Sequence, residues 1–272
     1  MLKVLKVPKY LHRLIFTGLG FLWCVVCMAE ETVDATDPTK IYSFLGGGPK
    51  YTSYTNDEYM AEFRLIGNIG VSESDMLLGE FGYGKLQGSD FYNDESGWTS
   101  ARFRWFHLFD MDHEAMGYRG AGSQVDVQLA GELPGTDGQN MLLVGYMPTW
   151  NFSEHLSLYL SLNIANSWDK SFEKYNGAGT GFDAQIIYNN EDWWPGAQIR
   201  LMPAYNYFLT GELDGEGSGN LDINIGGAIT PTLMWDVTWQ KNFDKDLHTF
   251  RRDRLAEIEN DWNLYFNVTQ YF

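Results

Sequence analysis

The sequence predicts an all-β protein: a transmembrane antiparallel up-and-down β-barrel of about twelve strands. Three observations support this. Apolar and polar residues alternate with a period of two along most of the chain, short turns alternate with longer polar connections, and no apolar run after residue 29 approaches the 18 residues of a membrane helix. A soluble β-sandwich or barrel, which would point its apolar face into a core, is the competing class.

The beginning of the chain has the pattern of a secretory signal peptide. Residues 1–13 carry four bases and no acid, residues 14–27 form a short apolar run, and Ala29 is a small residue suited to a cleavage site. We therefore expect a cleaved signal at 1–29, a short periplasmic segment at 30–38 and the barrel at 39–272. An uncleaved inner-membrane anchor is the alternative. A lipoprotein is disfavoured because neither Cys24 nor Cys27 follows a convincing lipobox.

Composition excludes several classes of function. Both cysteines, Cys24 and Cys27, lie in the expected signal, so the mature chain leaves the cytoplasm without disulfides. The formal net charge of the whole chain is −17, and losing the bases of the signal makes the balance more acidic. This acidity argues against nucleic acid as a partner.

Each strand is predicted from its own alternation. In residues 156–166, for example, leucines and Ile164 occupy every second position and mostly polar residues fill the gaps. The pattern places twelve strands near 39–52, 58–71, 76–87, 98–109, 117–132, 140–150, 156–167, 181–189, 196–210, 220–229, 232–243 and 261–272.

The connections and the aromatic residues favour the membrane class over the sandwich. Short turns near 72–75, 110–114, 151–155, 189–196 and 230–231 alternate with connections that are mostly longer and richer in charge and glycine. This is the layout of a barrel with periplasmic turns and outer loops, and an even strand count puts both termini on the periplasmic side. Tryptophans concentrate near strand ends, as an interfacial belt requires: Trp98, Trp150, Trp168, Trp193, Trp194 and Trp262.

The last strand, DWNLYFNVTQYF at 261–272, resembles the final strand of Gram-negative outer-membrane β-barrel proteins. The resemblance rests on Leu264, Phe266, Val268 and Phe272, while Gln270 departs from the aromatic or apolar residue of the pattern. It implies that these four residues form an assembly signal read by the barrel-assembly machinery. It also implies a place in the outer membrane, in contact with its lipid and lipopolysaccharide.

A second resemblance concerns the layout of the whole chain. With DPTKIYSFLGGG near the start and QKNFDKD before the last connection, the chain is similar to porin-like channels associated with phenol- and hydrocarbon-degradation pathways. That likeness implies a small-molecule permeant.

The polar phase of the strands predicts the residues that line the lumen. Six acids and four bases give a nearly balanced wall, so most of the acidity belongs to the mouths. Fixed charges on such a wall would select permeants by their field; alternatively, neighbouring acids and arginines pair only to close the barrel. The expected pore-lining residues are Glu62, Arg64, Glu80, Arg102, Arg104, Asp126, Asp183, Arg200, Asp222 and Asp236.

Other polar clusters are interpreted as surface features. The histidines and acids of HLFDMDHE (107–114) are expected in a solvated turn, and DGEGSGN (214–220) lacks the closing glutamate of a calcium loop. We therefore expect no catalytic residue, no metal site and no cofactor. Arg251, Arg252 and Arg254 could contact lipopolysaccharide phosphates or constrict the bore, or form internal pairs with nearby glutamates.

These observations predict a non-enzymatic outer-membrane channel that allows passive diffusion of small solutes through a narrow, charge-lined lumen. Two alternatives remain open: a barrel enzyme that hydrolyses lipid or peptide, and a structural or adhesive barrel whose lumen is plugged.

Overall fold

A computed structural model describes residues 34, 37–54, 58–87, 96–133, 139–244 and 260–272. This part of the chain contains twelve β-strands and one short 3-10 helix, Gly211–Leu213. The strands are β1 Phe44–Tyr54, β2 Tyr59–Gly70, β3 Asp75–Gln87, β4 Ser96–Leu108, β5 Gly117–Ala130, β6 Gln139–Ser153, β7 Leu156–Asp169, β8 Tyr175–Asn189, β9 Gln198–Phe208, β10 Gly217–Thr230, β11 Leu233–Asp244 and β12 Asn260–Tyr271.

The strands form one closed barrel in which each pairs antiparallel with its neighbours in sequence. The ring closes where β1 pairs with β12, from Phe44 opposite Tyr271 to Tyr54 opposite Asn260. The predicted fold class, an all-β antiparallel up-and-down barrel of about twelve strands, is confirmed. Among the described residues, no helix is long and apolar enough to cross a membrane.

The barrel carries its apolar residues on the outside. On β7, Leu162 and Ile164 are 52% and 64% exposed, whereas Ser161 and Asn163 between and beside them are buried. On β2, Phe63 and Leu65 are exposed in the same way. Since side chains alternate across a strand, each strand turns its polar phase inward. This is the polarity of a transmembrane barrel, opposite to that of a soluble sandwich.

The seam between β1 and β12 depends on glycine. A Cβ added to Gly48 would lie 1.9 Å from the carbonyl oxygen of Phe266, and one added to Gly46 would lie 2.4 Å from Thr269 Oγ1. Because no side chain fits at these positions, the glycines allow the first and last strands to approach each other closely.

Three features differ from the sequence prediction. The eighth strand begins at Tyr175 rather than near residue 181. The first strand begins at Phe44 rather than near residue 39, because residues 37–43 make other contacts, described below. The turns also show less asymmetry than expected: connections 109–116 and 190–197 at one end are as long as 88–95 and 131–138 at the other. The expected signal peptide at 1–29 lies outside the described residues.

We call the end of the barrel that carries Phe44 and Tyr271 the terminal end, and the opposite end the loop end. Tyr54 and Asn260, at the other limits of the same two strands, lie at the loop end.

Candidate functional site

The inner wall formed by β2, β3 and β4 holds a chain of ion pairs. Glu80, on β3, accepts a hydrogen bond from Arg64 on β2 through one carboxylate oxygen. Its other oxygen accepts one from Arg104 Nη2 on β4, at 2.5 Å. One carboxylate therefore bridges two guanidinium groups, and the three side chains hold one another in place across three strands.

A second pair lies beside the first. Arg102, on β4, donates from Nε to Asp126 Oδ1 at 2.9 Å and from Nη2 to Asp126 Oδ2 at 2.5 Å. The Asp126 side chain is only 1% exposed, and Gln128 Nε2 donates a further hydrogen bond to it at 3.0 Å. This two-point contact fixes the plane of the Arg102 guanidinium against the wall.

The same side of the barrel contains a lysine and a tyrosine that sequence reasoning missed. Lys50 Nζ lies 3.5 Å from Glu62 Oε1. Lys50 Nζ and Arg64 Cζ lie 5.2 and 5.0 Å from the centre of the Tyr265 ring, within the range of cation–π attraction. The cations on this wall are thus held by acids and by one aromatic face.

The facing wall, from β8 to β11, is built differently, because its acids are held by amides. Asp183 accepts from Asn163 Nδ2 at 2.9 Å. Asp222 accepts from Asn220 Nδ2 at 2.6 Å. Asp236 Oδ1 accepts from Asn224 Nδ2 at 2.9 Å and from Asn267 Nδ2 at 3.0 Å. The arginine of this wall, Arg200, donates from Nε to Gln198 Oε1 at 2.8 Å.

All ten residues expected to line the lumen therefore lie on the inner face, but the structure groups them in two sets. Most of the cations, with their paired acids, gather on β1–β5. Three acids held by neutral amide groups and one cation, Arg200, lie on β8–β11. An amide brings no charge to the carboxylate that it holds, whereas an arginine offsets the charge of its partner. The two sides of the bore consequently present opposite excess charge.

A cavity of about 210 Å³ lies inside the barrel beside the cationic wall. It is lined by residues that include Lys50, Glu62, Arg64, Glu80, Arg102 and Tyr265.

Apolar residues narrow the interior at the loop end. Leu133, which follows β5, is 3% exposed and packs with residues of β1, β2 and β3. On another side, Leu213 of the 3-10 helix packs against a cluster from β6, β7 and β9. The two clusters are Tyr54, Met60, Leu86 and Leu133, and Leu143, Ala165 and Phe208 with Met141 and Leu213.

The cluster at 107–114 makes specific contacts. His107 Nδ1 lies 2.9 Å from Asp75 Oδ1, at the end of the neighbouring strand. His113 Nδ1 lies 3.2 Å from Thr39 Oγ1 and 3.1 Å from Arg119 Nη2, at the terminal end. No group of three or more histidine, cysteine, aspartate or glutamate residues suited to a metal ion occurs in the part of the chain that the structure describes.

Two predicted groups remain: the assembly signal of the last strand and the three arginines of the last connection. Leu264, Phe266 and Val268 lie on β12, with Leu264 and Phe266 exposed on the outer face, and the Phe272 amide donates to Ser43 O at 3.0 Å. Arg251, Arg252 and Arg254 lie outside the described residues.

These two faces define a class of protein: a closed β-barrel with an apolar exterior and a charged, hydrophilic interior. No protein-family model and no curated protein sequence matches the chain. Solved structures do match.

The COG4313 outer membrane channel from Pseudomonas putida F1 is 11% identical, with a TM-score of 0.57, and the match covers 89% of this chain and 100% of that one. A KdgM porin in complex with disordered oligogalacturonate is 8% identical, with a TM-score of 0.51, covering 84% and 99% of the two chains. At this identity the likeness concerns the fold, and it confirms the predicted resemblance to outer-membrane barrels at that level.

Proposed function

We propose that this protein is an outer-membrane channel through which small solutes diffuse passively. The observation that carries the proposal is the inverted polarity of a closed barrel, with exposed leucine, isoleucine and phenylalanine outside and ionised side chains around a cavity inside. An apolar exterior is suited to lipid, and a polar interior to water and polar solutes. The fold shared with solved outer-membrane channels supports the same proposal.

The charged side chains act on solutes through their field. Arg64, Arg102 and Arg104 present cations on one side, while Asp183 and Asp236 present carboxylates on the other. Such a bore slows ions of either sign and favours uncharged polar or zwitterionic solutes, whose separated charges can follow both walls. The ten inward residues are proposed to line this path. Selectivity then follows from fixed side chains, and no chemical step is needed.

An outer-membrane channel of this kind has three further partners: membrane lipid, lipopolysaccharide and the barrel-assembly machinery. The outer belt contacts membrane lipid and, in the outer leaflet, lipopolysaccharide. The barrel-assembly machinery reads the strand ending at Phe272. The solved channel and porin are other proteins, and the solute class proposed for this one is small uncharged polar or zwitterionic molecules.

Conductance in planar bilayers tests the proposal. Purified protein is expected to give discrete current steps, and liposomes containing it are expected to swell in neutral amino acids or small sugars. Asp183→Asn removes one carboxylate from the inner wall and should shift the reversal potential in a salt gradient towards anion selectivity. Asp192→Asn, the same change in an exposed turn, is the matched control and should leave the potential nearly unchanged. Absence of both current and swelling would overturn the channel.

A barrel with a plugged lumen is a second candidate, favoured by one observation: residues before β1 lie within the terminal end and contact Arg119. It predicts no current from the wild-type protein. The same measurements therefore separate it from the channel.

A further inference from the structure

Residues 37–43, which we call the strap, leave β1 and cross the terminal end of the barrel. The strap is attached beside the seam at its β1 end. Tyr42 O accepts from Asn68 Nδ2 at 2.5 Å, Ser43 Oγ accepts from the Gly70 amide at 3.1 Å, and Ser43 O accepts from the Phe272 amide at 3.0 Å.

The other end of the strap is held by distant strands. Asp37 Oδ2 accepts a hydrogen bond from Arg119 Nη2 on β5 at 2.5 Å, and Asp37 Oδ1 accepts one from the Tyr159 hydroxyl on β7 at 3.1 Å. In a closed ring of twelve strands, β7 is six strands from β1 in either direction. Six residues reach at most about 21 Å when extended. Because it joins the β1 side to side chains of β5 and β7, the strap lies across part of the terminal mouth as a chord.

The contacts of Asp37 are buried and satisfied by several partners. The Arg119 side chain is 1% exposed, and it also donates from Nη1 to the Tyr159 hydroxyl at 2.8 Å. Thr39 Oγ1 donates to Asp37 Oδ1 at 2.6 Å and lies 3.2 Å from His113 Nδ1. A buried guanidinium is stable only beside a compensating negative charge, and the Asp37 carboxylate of the strap provides that charge for Arg119.

Local backbone geometry turns Arg119 inward. The register between β5 and β6 shifts between Tyr118 and Gly120, and Gly120 has a positive φ of 132° that favours glycine. Tyr118 remains 55% exposed on the outside, whereas Arg119 is 3% exposed. The bulge therefore turns the Arg119 guanidinium towards the bore, where it meets Asp37 of the strap.

We propose that the strap determines the size limit of the channel by narrowing its terminal end, with the Asp37–Arg119 contact as the latch. The proposal rests on the proposed channel function. With the latch closed, solutes pass only beside the chord. With the latch open, only the weaker contacts of Thr39 with His113 and Arg119 hold the far end among the described residues, so the strap can move aside and widen the mouth.

Two sets of variants test the strap. Asp37→Asn keeps the side-chain shape and removes the charge, so conductance should at least double and liposomes should admit larger sugars than those containing the wild type. Asp192→Asn, with the same charge change in an exposed turn, should match the wild type. Folding of each barrel is checked by its heat-dependent mobility in gel electrophoresis.

The second set uses a reversible lock. Thr39→Cys and His113→Cys are added to Asp37→Asn in a chain whose Cys24 and Cys27 are replaced by serine. A short reducible thiol cross-linker should lower conductance to the wild-type level, and reduction should restore the larger value. The same two cysteines are also placed in a chain that keeps Asp37, and failure to cross-link in that folded barrel would overturn the strap.

The outcomes separate the strap from the channel. Equal conductance and equal sugar limits in wild type and Asp37→Asn overturn the strap and leave the channel standing. A silent wild type overturns the channel, and a conducting Asp37→Asn in that case overturns the strap as a size limit, because the strap would then be a plug. Silence in every variant overturns both.

Discussion

At the scale of single residues, one kind of contact serves two purposes. Arginine–carboxylate pairs within the wall, such as Arg102 with Asp126, join strands that are already hydrogen-bonded neighbours. The pair between Arg119 and Asp37 instead joins the wall to a segment that has left the sheet. Opening the first pair leaves its two strands joined by their backbone ladder, whereas opening the second releases a segment that no ladder holds. The second pair is therefore the better candidate for a moving part.

The latch predicts a specific dependence on pH. Burial alone would raise the pKa of Asp37, but hydrogen bonds from Thr39 and Arg119 and the charge of Arg119 hold that pKa below its usual value of 3.8. Because the folded pKa is lowered, the stabilisation of the closed strap is complete above pH 3.8 and is lost as the pH falls through the folded value. Tyr159, His113 and Lys40 are the other titratable groups near this carboxylate.

The latch should therefore stay closed from about pH 7 to pH 5, and conductance should rise through its opening only in stronger acid. The measurement is a pH series of single-channel recordings on wild type and Asp37→Asn. The variant should lack the acid step. An identical step in both proteins would assign it to another group.

The alternation of the sequence was sufficient to place Glu80, Arg102 and the other wall residues on the inner face. It could not reveal Arg119, because the bulge at Tyr118 and Gly120 changes the phase of β5 at that point. It could not reveal Lys50 either, since three glycines and Pro49 precede it and leave no pattern to read. The sequence predicts only a periplasmic segment around Asp37, because a contact with a residue 82 positions away along the chain has no local signal.

At the scale of elements, β1 has the most demanding sequence. Its glycines 46–48 face backbone or side-chain atoms of β2 and β12 at distances that a Cβ could not occupy. The same region showed how tertiary contacts override a strand pattern: IYSF continues the alternation, yet the strand starts only at Phe44. The residues before it satisfy their polar groups through Asn68, Gly70 and Phe272 instead.

Gly48→Ala should impair closure of the seam, because its Cβ would meet the Phe266 carbonyl at 1.9 Å and the backbone would have to shift. We expect a loss of about 1–3 kcal/mol in the free energy of unfolding. Gly67→Ala, where the nearest atoms are 3.5 Å away, is the matched control and should change stability by less than about 0.5 kcal/mol. Denaturant unfolding in lipid vesicles measures both. Equal effects would show that the seam has no special requirement for glycine.

At the scale of the whole molecule, the apolar belt decides where the barrel is stable. Leu65 lies in the middle of β2 and is 46% exposed, and Ile229 lies next to the last residue of β10 and is 53% exposed. In water the two positions would be equivalent. In a bilayer they differ in depth, so the same substitution should have unequal costs.

Leu65→Arg should cost about 2–4 kcal/mol of folding free energy in lipid vesicles, while Ile229→Arg should cost about 0–1 kcal/mol. The measurement is reversible unfolding from vesicles, repeated in detergent micelles, where the difference should shrink. Equal costs at both positions in vesicles would contradict the proposed place of the belt in the membrane.

The closing seam also orders events in time. Thr52 Oγ1 donates to Asn263 Oδ1 across it at 2.7 Å, and the two residues are 211 positions apart in the chain. The strand made first thus acquires its second neighbour last, and contacts of such long range form slowly. Until then, one edge of β1 has unpaired amides and carbonyls that could join a foreign strand. The period between synthesis of the first strand and arrival of the twelfth is therefore when this chain is most exposed to aggregation and most dependent on help from other proteins.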